Sequence, residues 1–169
     1  MRDAPLSTPP ASTAATARLD SPGVRVPPPV HFALALVAGW LLQRWLPLPA
    51  LPPALAFWPG VALVAGAVLW NAWAVPTMLR GRGTLNTAGA SAALVTSGPY
   101  RCSRNPMYLG LALLAGGLAL TFGITWALAL LVPVLIYTQV RVIVPEERYL
   151  ERTFGESYRA YRARVRRWI

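Results

Sequence analysis

Charged residues are scarce in this sequence: they make up 13% of its 169 residues, against about 25% in an average soluble domain. The chain has no lysine, one histidine, His31, and one cysteine, Cys102. A single cysteine excludes an intramolecular disulfide, a two-cysteine redox pair and a structural zinc site built on two cysteines. We therefore expect no metal site and no disulfide scaffold.

The charge that is present is mostly positive, since 16 arginines against 6 acidic residues give a formal net charge of +10. Such a surplus first suggests a nucleic-acid or other anionic partner. However, the only charged or histidine side chains between Val30 and Leu79 are His31 and Arg44, and none occurs from Asn105 to Val140. This distribution is typical of a membrane protein, and we expect no nucleic-acid partner.

The placement of apolar runs and prolines predicts an all-α, polytopic membrane protein with about four transmembrane helices. The first 29 residues are rich in Pro, Ala, Ser and Thr, which predicts a disordered tail at 1–29. A single integral-membrane domain is predicted for 30–169. Its spans are predicted at 31–46, 54–78, 107–120 and 124–144, followed by a cytosolic helical tail at 145–169 with a break at Gly155.

The arginines also predict the orientation. The second predicted loop holds four of them and the chain from Arg141 onward holds eight, whereas the first loop holds only Arg44. By the positive-inside rule both termini are cytoplasmic, which four spans satisfy and three or five do not. The Arg-only, Ala-rich composition is typical of a GC-rich bacterial genome, so the bacterial cytoplasmic membrane is the predicted location.

Two polar clusters flank the uncharged hairpin formed by the last two spans. The first runs from Gly98 to Tyr108 and the second from Pro145 to Arg162. Because a hairpin of two spans returns the chain to its starting side, the clusters should be neighbours. They would then form a polar pocket open to cytosol and to lipid, which suits a positively charged cofactor and a lipophilic substrate.

Local structural roles remain alternatives for several of these residues. Asn105 can cap the third span, with Pro106 in its first turn. Glu146 and Glu147 can complement the dipole of a helix N-terminus. Tyr158 and Tyr161, three residues apart on one helix face, can be packing residues.

Together the clusters resemble a known family, the integral-membrane methyltransferases that include isoprenylcysteine carboxyl methyltransferase and the phospholipid N-methyltransferases. The resemblance covers about 81–168. Its motifs are Gly98-Pro99-Tyr100-Arg101, Arg104-Asn105-Pro106-Met107-Tyr108-Leu109-Gly110, the pair Glu146-Glu147, Phe154-Gly155, Tyr158, Tyr161 and Arg162. Asn105 stands where isoprenylcysteine-type members usually carry histidine, and Val165-Arg166-Arg167 stands where the family often has Val-Pro-Arg.

The resemblance implies a helical membrane enzyme that binds S-adenosylmethionine at its cytosolic face without a soluble Rossmann domain. Carried over residue by residue, it implies a cofactor site that contains Tyr100, Arg104, Asn105, Pro106, Tyr108, Glu146, Glu147, Tyr158 and Tyr161.

Methyl transfer from a sulfonium is an in-line displacement, so such an enzyme acts mainly by positioning the two reactants. The chain is poor in bases, which favours an acceptor that is already anionic, a carboxylate or thiolate, over an amine. We predict Arg104 and Glu147 as catalytic residues and Arg141 as a substrate-binding residue. The acceptor is a lipophilic small molecule or a lipid. The alternative is a non-catalytic membrane protein that binds lipid headgroups or a partner protein.

Overall fold

A computed structural model describes residues 27–81 and 93–169 of the chain. These residues form helices and turns with no strand, which confirms the all-α class. Positions 1–26 of the predicted tail and 82–92 of the second predicted loop lie outside the described residues. The helices are α1 (Pro28–Trp45), α2 (Pro53–Arg80), α3 (Pro106–Thr121), α4 (Thr125–Thr138) and α5 (Val144–Arg164), with a 3-10 turn at Gly98–Arg101 before α3 and a π-helical turn at Gln139–Ile143 between α4 and α5.

Proline marks the start of three of these helices. Pro28, Pro53 and Pro106 each lie in a first helical turn. The fixed φ of proline suits this position, and the missing N–H has no helical partner to lose. Helix α1 therefore begins at Pro28, inside the predicted tail and three residues before the predicted span.

Close backbone approaches hold the helices together. Helix α3 packs along α2, and α1 packs along α4. A Cβ atom on Gly60 of α2 would lie 2.6 Å from the backbone nitrogen of Thr121 and 2.9 Å from the carbonyl oxygen of Gly117, both on α3. Small residues at such crossings allow main chains to come close, as in membrane helix pairs.

Two helical segments among the described residues are long and apolar enough to cross a membrane: Pro53–Arg80 and the continuous helix Thr125–Arg164. Most residues in their apolar windows are not buried against the rest of the chain. Large apolar side chains, such as Leu69 and Ile136, are instead exposed. Helix α3 is a shorter apolar helix. The count of four transmembrane helices stays a prediction.

The fourth predicted span and the predicted tail form one continuous helix, because the π-helical turn at Gln139–Ile143 passes directly from α4 into α5. The first real interruption is at Gly155, whose φ of 50° and ψ of −120° are not helical. Glycine adopts a positive φ without the steric cost that a Cβ atom imposes. The predicted break at Gly155 is confirmed.

Substituting Gly60 tests the close approach of α2 and α3. Gly60→Ala places a methyl group against the α3 backbone and should lower the stability of the protein in detergent by about 1–3 kcal/mol, the usual range for overpacking. Gly66→Ala is the matched control in the same helix, because a Cβ atom there meets nothing within 4 Å. Thermal melting should show a lower melting temperature for Gly60→Ala only. Equal melting of the two variants would contradict this packing.

Candidate active site

The structure brings the two polar clusters together in one cleft. The 3-10 turn and the start of α3 supply one wall, and the first and last parts of α5 supply the other. The cleft has a cavity volume of about 40 Å³ and opens to solvent. Its polar lining residues are Tyr100, Arg104, Asn105, Glu146, Glu147, Tyr158 and Tyr161, and its apolar ones include Met78, Leu94, Val95 and Leu150.

Glu147 forms ion pairs with two arginines at the cleft. Its Oε1 atom lies 3.0 Å from Nη1 of Arg104, and both side chains are about one-tenth exposed. Arg167 donates from Nε to Oε1 at 2.9 Å and from Nη2 to Oε2 at 2.7 Å, a bidentate pair. A buried carboxylate needs such partners because an unpaired charge is costly to remove from water. Two arginines therefore hold Glu147 in place.

Glu146 lies next in sequence but in a different environment. It accepts a hydrogen bond from the hydroxyl of Tyr108 at 2.9 Å, and among the described residues it forms no ion pair. Burial raises the pKa of Glu146 to about 6; the charge of Glu147 adds to this, and the Tyr108 hydrogen bond opposes it. Glu146 is thus the carboxylate of the cleft without a cation.

The tyrosines surround the two carboxylates. The hydroxyl of Tyr161 donates to the carbonyl oxygen of Tyr100 at 2.7 Å, and Nη1 of Arg104 donates to the hydroxyl of Tyr158 at 3.3 Å. Burial raises the pKa of Tyr100 and Tyr161, so both stay neutral at physiological pH. Within the cleft, two buried polar atoms have no hydrogen-bond partner among the described residues: the hydroxyl of Tyr100 and Nε of Arg104.

The structure places the remaining predicted site residues differently. Pro106 is buried behind the cleft, where its carbonyl oxygen accepts a hydrogen bond from Nε1 of Trp70 at 2.8 Å. Tyr108 contacts the site through the hydrogen bond that its hydroxyl donates to Glu146. Arg141 is exposed on the π-helical turn and does not line the cleft. The structure therefore does not bring Arg141 together with the other predicted residues.

Of the local structural alternatives, the N-cap position of Asn105 and the first-turn position of Pro106 are confirmed, whereas a free helix N-terminus at Glu146 and Glu147 is not. Asn105 occupies the N-cap position of α3 but forms no capping hydrogen bond with its side chain, which instead donates to the carbonyl oxygen of Arg167 at 3.0 Å. Glu146 and Glu147 do not lie at a free helix N-terminus, because the helix continues into α5 from α4. Their positions follow from contacts across the cleft rather than from helix capping.

Sequence reasoning missed the contribution of the chain end. Arg167 binds Glu147, and the carbonyl oxygens of Arg166 and Arg167 accept hydrogen bonds from the loop before α3. The sequence contained one signal for this contribution. Arg167 follows Val165 by two positions, as the arginine follows the valine in the Val-Pro-Arg segment of the family.

Comparison with known proteins finds a match to a protein family. A family model described as phospholipid methyltransferase matches residues 55–157, more than half of the chain. The chain belongs to this phospholipid methyltransferase family. The matched region of this family member includes α2 except for its first two residues, all of α3 and α4, and the cleft residues from Tyr100 to Glu147, and it ends just before Tyr158.

One curated relative is an uncharacterized protein from Haemophilus influenzae. It is 43% identical to this chain over 65 residues, which are 37% of this chain and 100% of that protein. No solved structure matches the chain.

Two Tyr→Phe substitutions compare a hydroxyl that forms a hydrogen bond within the described residues with one that does not. Tyr161→Phe removes the hydrogen bond to the carbonyl oxygen of Tyr100 and should cost about 1 kcal/mol of stability. Tyr100→Phe removes a hydroxyl that bonds to none of the described residues and should not reduce stability. Thermal melting in detergent measures both effects. A destabilisation by Tyr100→Phe as large as that by Tyr161→Phe would be inconsistent with this geometry.

The environment of Glu146 predicts a pH dependence of stability. Its pKa is raised in the folded state from 4.5 to about 6, so the folded state binds the proton more tightly than the unfolded chain. Protonation of Glu146 therefore stabilises the folded state. This stabilisation is complete below pH 4.5 and is lost as the pH rises through 6, which lowers the free energy of unfolding by up to about 2 kcal/mol.

Glu146→Gln mimics the protonated carboxyl group and should remove this loss. The measurement is denaturant unfolding between pH 4.5 and 7, with the exposed Glu156→Gln as control. An unchanged pH dependence in Glu146→Gln would show that Glu146 is not the titrating group.

Proposed function

We propose that this family member is a methyltransferase that transfers a methyl group from S-adenosylmethionine to a lipophilic acceptor at the cytosolic face of the membrane. One observation carries the proposal. The two motif clusters form a single cleft in which Glu146, a carboxylate without a cation, lies beside buried tyrosines and an arginine. Membership of the phospholipid methyltransferase family supports methyl transfer as the reaction.

The chemistry of the cleft fits the charges of S-adenosylmethionine. Glu146 would hold the amino group or the ribose hydroxyls of the cofactor, because no cation among the described residues competes for it. The unpartnered Nε of Arg104 is a donor suited to the cofactor carboxylate. The aromatic rings of Tyr158 and Tyr161 would stabilise the sulfonium cation by about 0.5–2 kcal/mol.

The bound cofactor would supply an electrophilic methyl group, and the residues of the cleft position the reactants around it. Both carboxylate oxygens of Glu147 already accept hydrogen bonds from guanidinium groups. Glu146 is the carboxylate that remains available to hold a proton, with a pKa of about 6. We therefore assign proton handling to Glu146, and we assign to Glu147 the task of holding Arg104.

A second cavity supports a lipophilic acceptor. An apolar groove lies between α3 and α4 and is wide open to the surroundings of the protein. Its lining residues are Leu109, Ala112, Leu135, Ile136, Gln139, Arg167 and Trp168. Glu147 lines the cleft and Arg167 lines the groove, so the ion pair between them lies at the boundary of the two cavities. An acyl or prenyl chain in the groove would bring the attached reactive group towards the cleft.

The class of acceptor follows from the shortage of bases. A carboxylate or thiolate needs no deprotonation by the protein and is favoured. A lipid amine is second and would depend on Glu146 as the proton acceptor. Arg141 stays a predicted substrate-binding residue outside the cleft. We further propose that both chain ends face the cytosol of a bacterial cell.

Calorimetric titration of S-adenosylmethionine into the detergent-purified protein tests the proposal. Saturable binding is expected for the wild type, and Glu146→Gln should weaken it at least tenfold, which corresponds to about 1.4 kcal/mol. Glu156→Gln removes the same charge from an exposed position outside the cleft and should bind like the wild type. Acceptors are then screened with the methyl-labelled cofactor and lipophilic acids, thiols and amines.

No binding by a folded wild-type protein would refute the proposal and favour a non-catalytic protein that binds lipid headgroups or a partner. Equal affinity of the wild type and Glu146→Gln would reject Glu146 as a cofactor ligand while leaving methyl transfer possible.

A further inference from the structure

Residues Val165–Ile169 leave helix α5 and lie beside the cleft, in contact with residues of the loop before α3 and with Glu147; we call them the C-terminal strap. The backbone turns from helical to extended at Val165, with φ −122° and ψ 130°. The family match ends at residue 157, so the strap lies beyond the region that defines membership of the family.

Main-chain atoms of the strap bind the loop before α3. The backbone nitrogen of Arg104 donates to the carbonyl oxygen of Arg166 at 3.0 Å. The carbonyl oxygen of Arg167 accepts from Nδ2 of Asn105 at 3.0 Å and from the hydroxyl of Ser103 at 3.3 Å. These bonds connect the strap to the first motif cluster, more than sixty positions earlier in the chain.

Trp168 anchors the other side of the strap. Its Nε1 atom donates to Oε1 of Gln139 on the π-helical turn at 2.9 Å. Its ring packs against the buried cluster of Tyr108, Val142 and Ile143. The strap is thus held at the first motif cluster and at the junction of α4 and α5, with Arg167 between the two anchors.

Arg167 connects the strap to the charges of the cleft. Its bidentate bond to Glu147 occupies both carboxylate oxygens, and Oε1 of Glu147 is shared with Nη1 of Arg104. The result is a row of groups in the order Arg167, Glu147, Arg104 and Tyr158. Without Arg167, Glu147 would keep Arg104 as its single cation and would be free to change rotamer.

We propose that Arg167 is a positioning residue of the cleft, and this inference rests on the proposed function. The guanidinium of Arg167 fixes the Glu147 carboxylate, and Glu147 in turn fixes Arg104 at the place where the carboxylate of S-adenosylmethionine would bind. Arg167 itself does not contact the cofactor. Its fork of two parallel N–H donors suits this task because it sets the orientation of a carboxylate as well as its position.

Binding of S-adenosylmethionine to strap variants tests the inference. Arg167→Gln should weaken the affinity at least fivefold, and Arg167→Lys, which keeps the charge but not the fork, should recover only part of it. Arg164→Gln removes the same charge from an exposed position at the end of α5 and should bind like the wild type. If Arg167 only stabilises the fold, Arg167→Gln will lower the melting temperature without changing the affinity of the folded protein, which overturns the inference.

A double-mutant cycle tests whether Arg167 acts through Glu147. The double variant Arg167→Gln, Glu147→Gln should bind the cofactor no more weakly than Glu147→Gln alone. Additive losses would mean that Arg167 contacts the cofactor by another route, which also contradicts the inference.

A readout without cofactor separates this inference from the proposed function. Carboxypeptidase digestion followed by mass spectrometry should remove Trp168 faster from Arg167→Gln and from Glu147→Gln than from the wild type or Arg164→Gln. Equal rates would overturn the role of the ion pair in holding the strap. If the wild type does not bind S-adenosylmethionine, the proposed function fails and the positioning role fails with it, even where the digestion shows that Arg167 holds the strap.

Discussion

The ion pairs between Glu147 and two arginines are the interactions on which the candidate site depends. They form at the end of an apolar hairpin, where an unpaired carboxylate would be strongly destabilising. Arg104 comes from the loop before α3, Glu147 from the start of α5 and Arg167 from the strap. Three segments that are distant in sequence must therefore come together before the charge is compensated. The pairing of this buried charge thus connects three segments of the chain at the cleft.

Two adjacent carboxylates acquire different properties through this arrangement. Glu147 is compensated by guanidinium groups, whereas Glu146 contacts a tyrosine hydroxyl and has a raised pKa. Environments that separate neighbouring carboxyl groups in this way are a common means of dividing binding and proton-transfer tasks. In a chain without lysine, and with its one histidine in α1 and not among the residues that line the cleft, Glu146 is the group of the cleft best suited to hold a proton.

Two features of the helices contribute to this site. The backbones of α2 and α3 come close together, and α4 continues into α5 past the predicted membrane boundary. Gly60 allows the C-terminal end of α3 to approach α2. The π-helical turn carries α4 into α5 without a loop, so the direction in which Glu146 and Glu147 project is set by a rigid helix. Single π-helical turns within α-helices are frequent at functional sites. The turn here also holds Gln139, the partner of Trp168.

The sequence by itself determined the helical class, the uncharged hairpin and the two motif clusters, because hydropathy, proline positions and residue order are local properties of the chain. It also determined that the clusters would meet, since a hairpin returns to its starting side. Only the tertiary structure decided that Glu147 is doubly paired while Glu146 is not, that Arg141 lies outside the cleft, and that the second arginine on Glu147 is Arg167 of the strap. Those outcomes depend on which distant side chains share a buried space, and the cost of burying an unpaired charge acts only once the fold has brought them together.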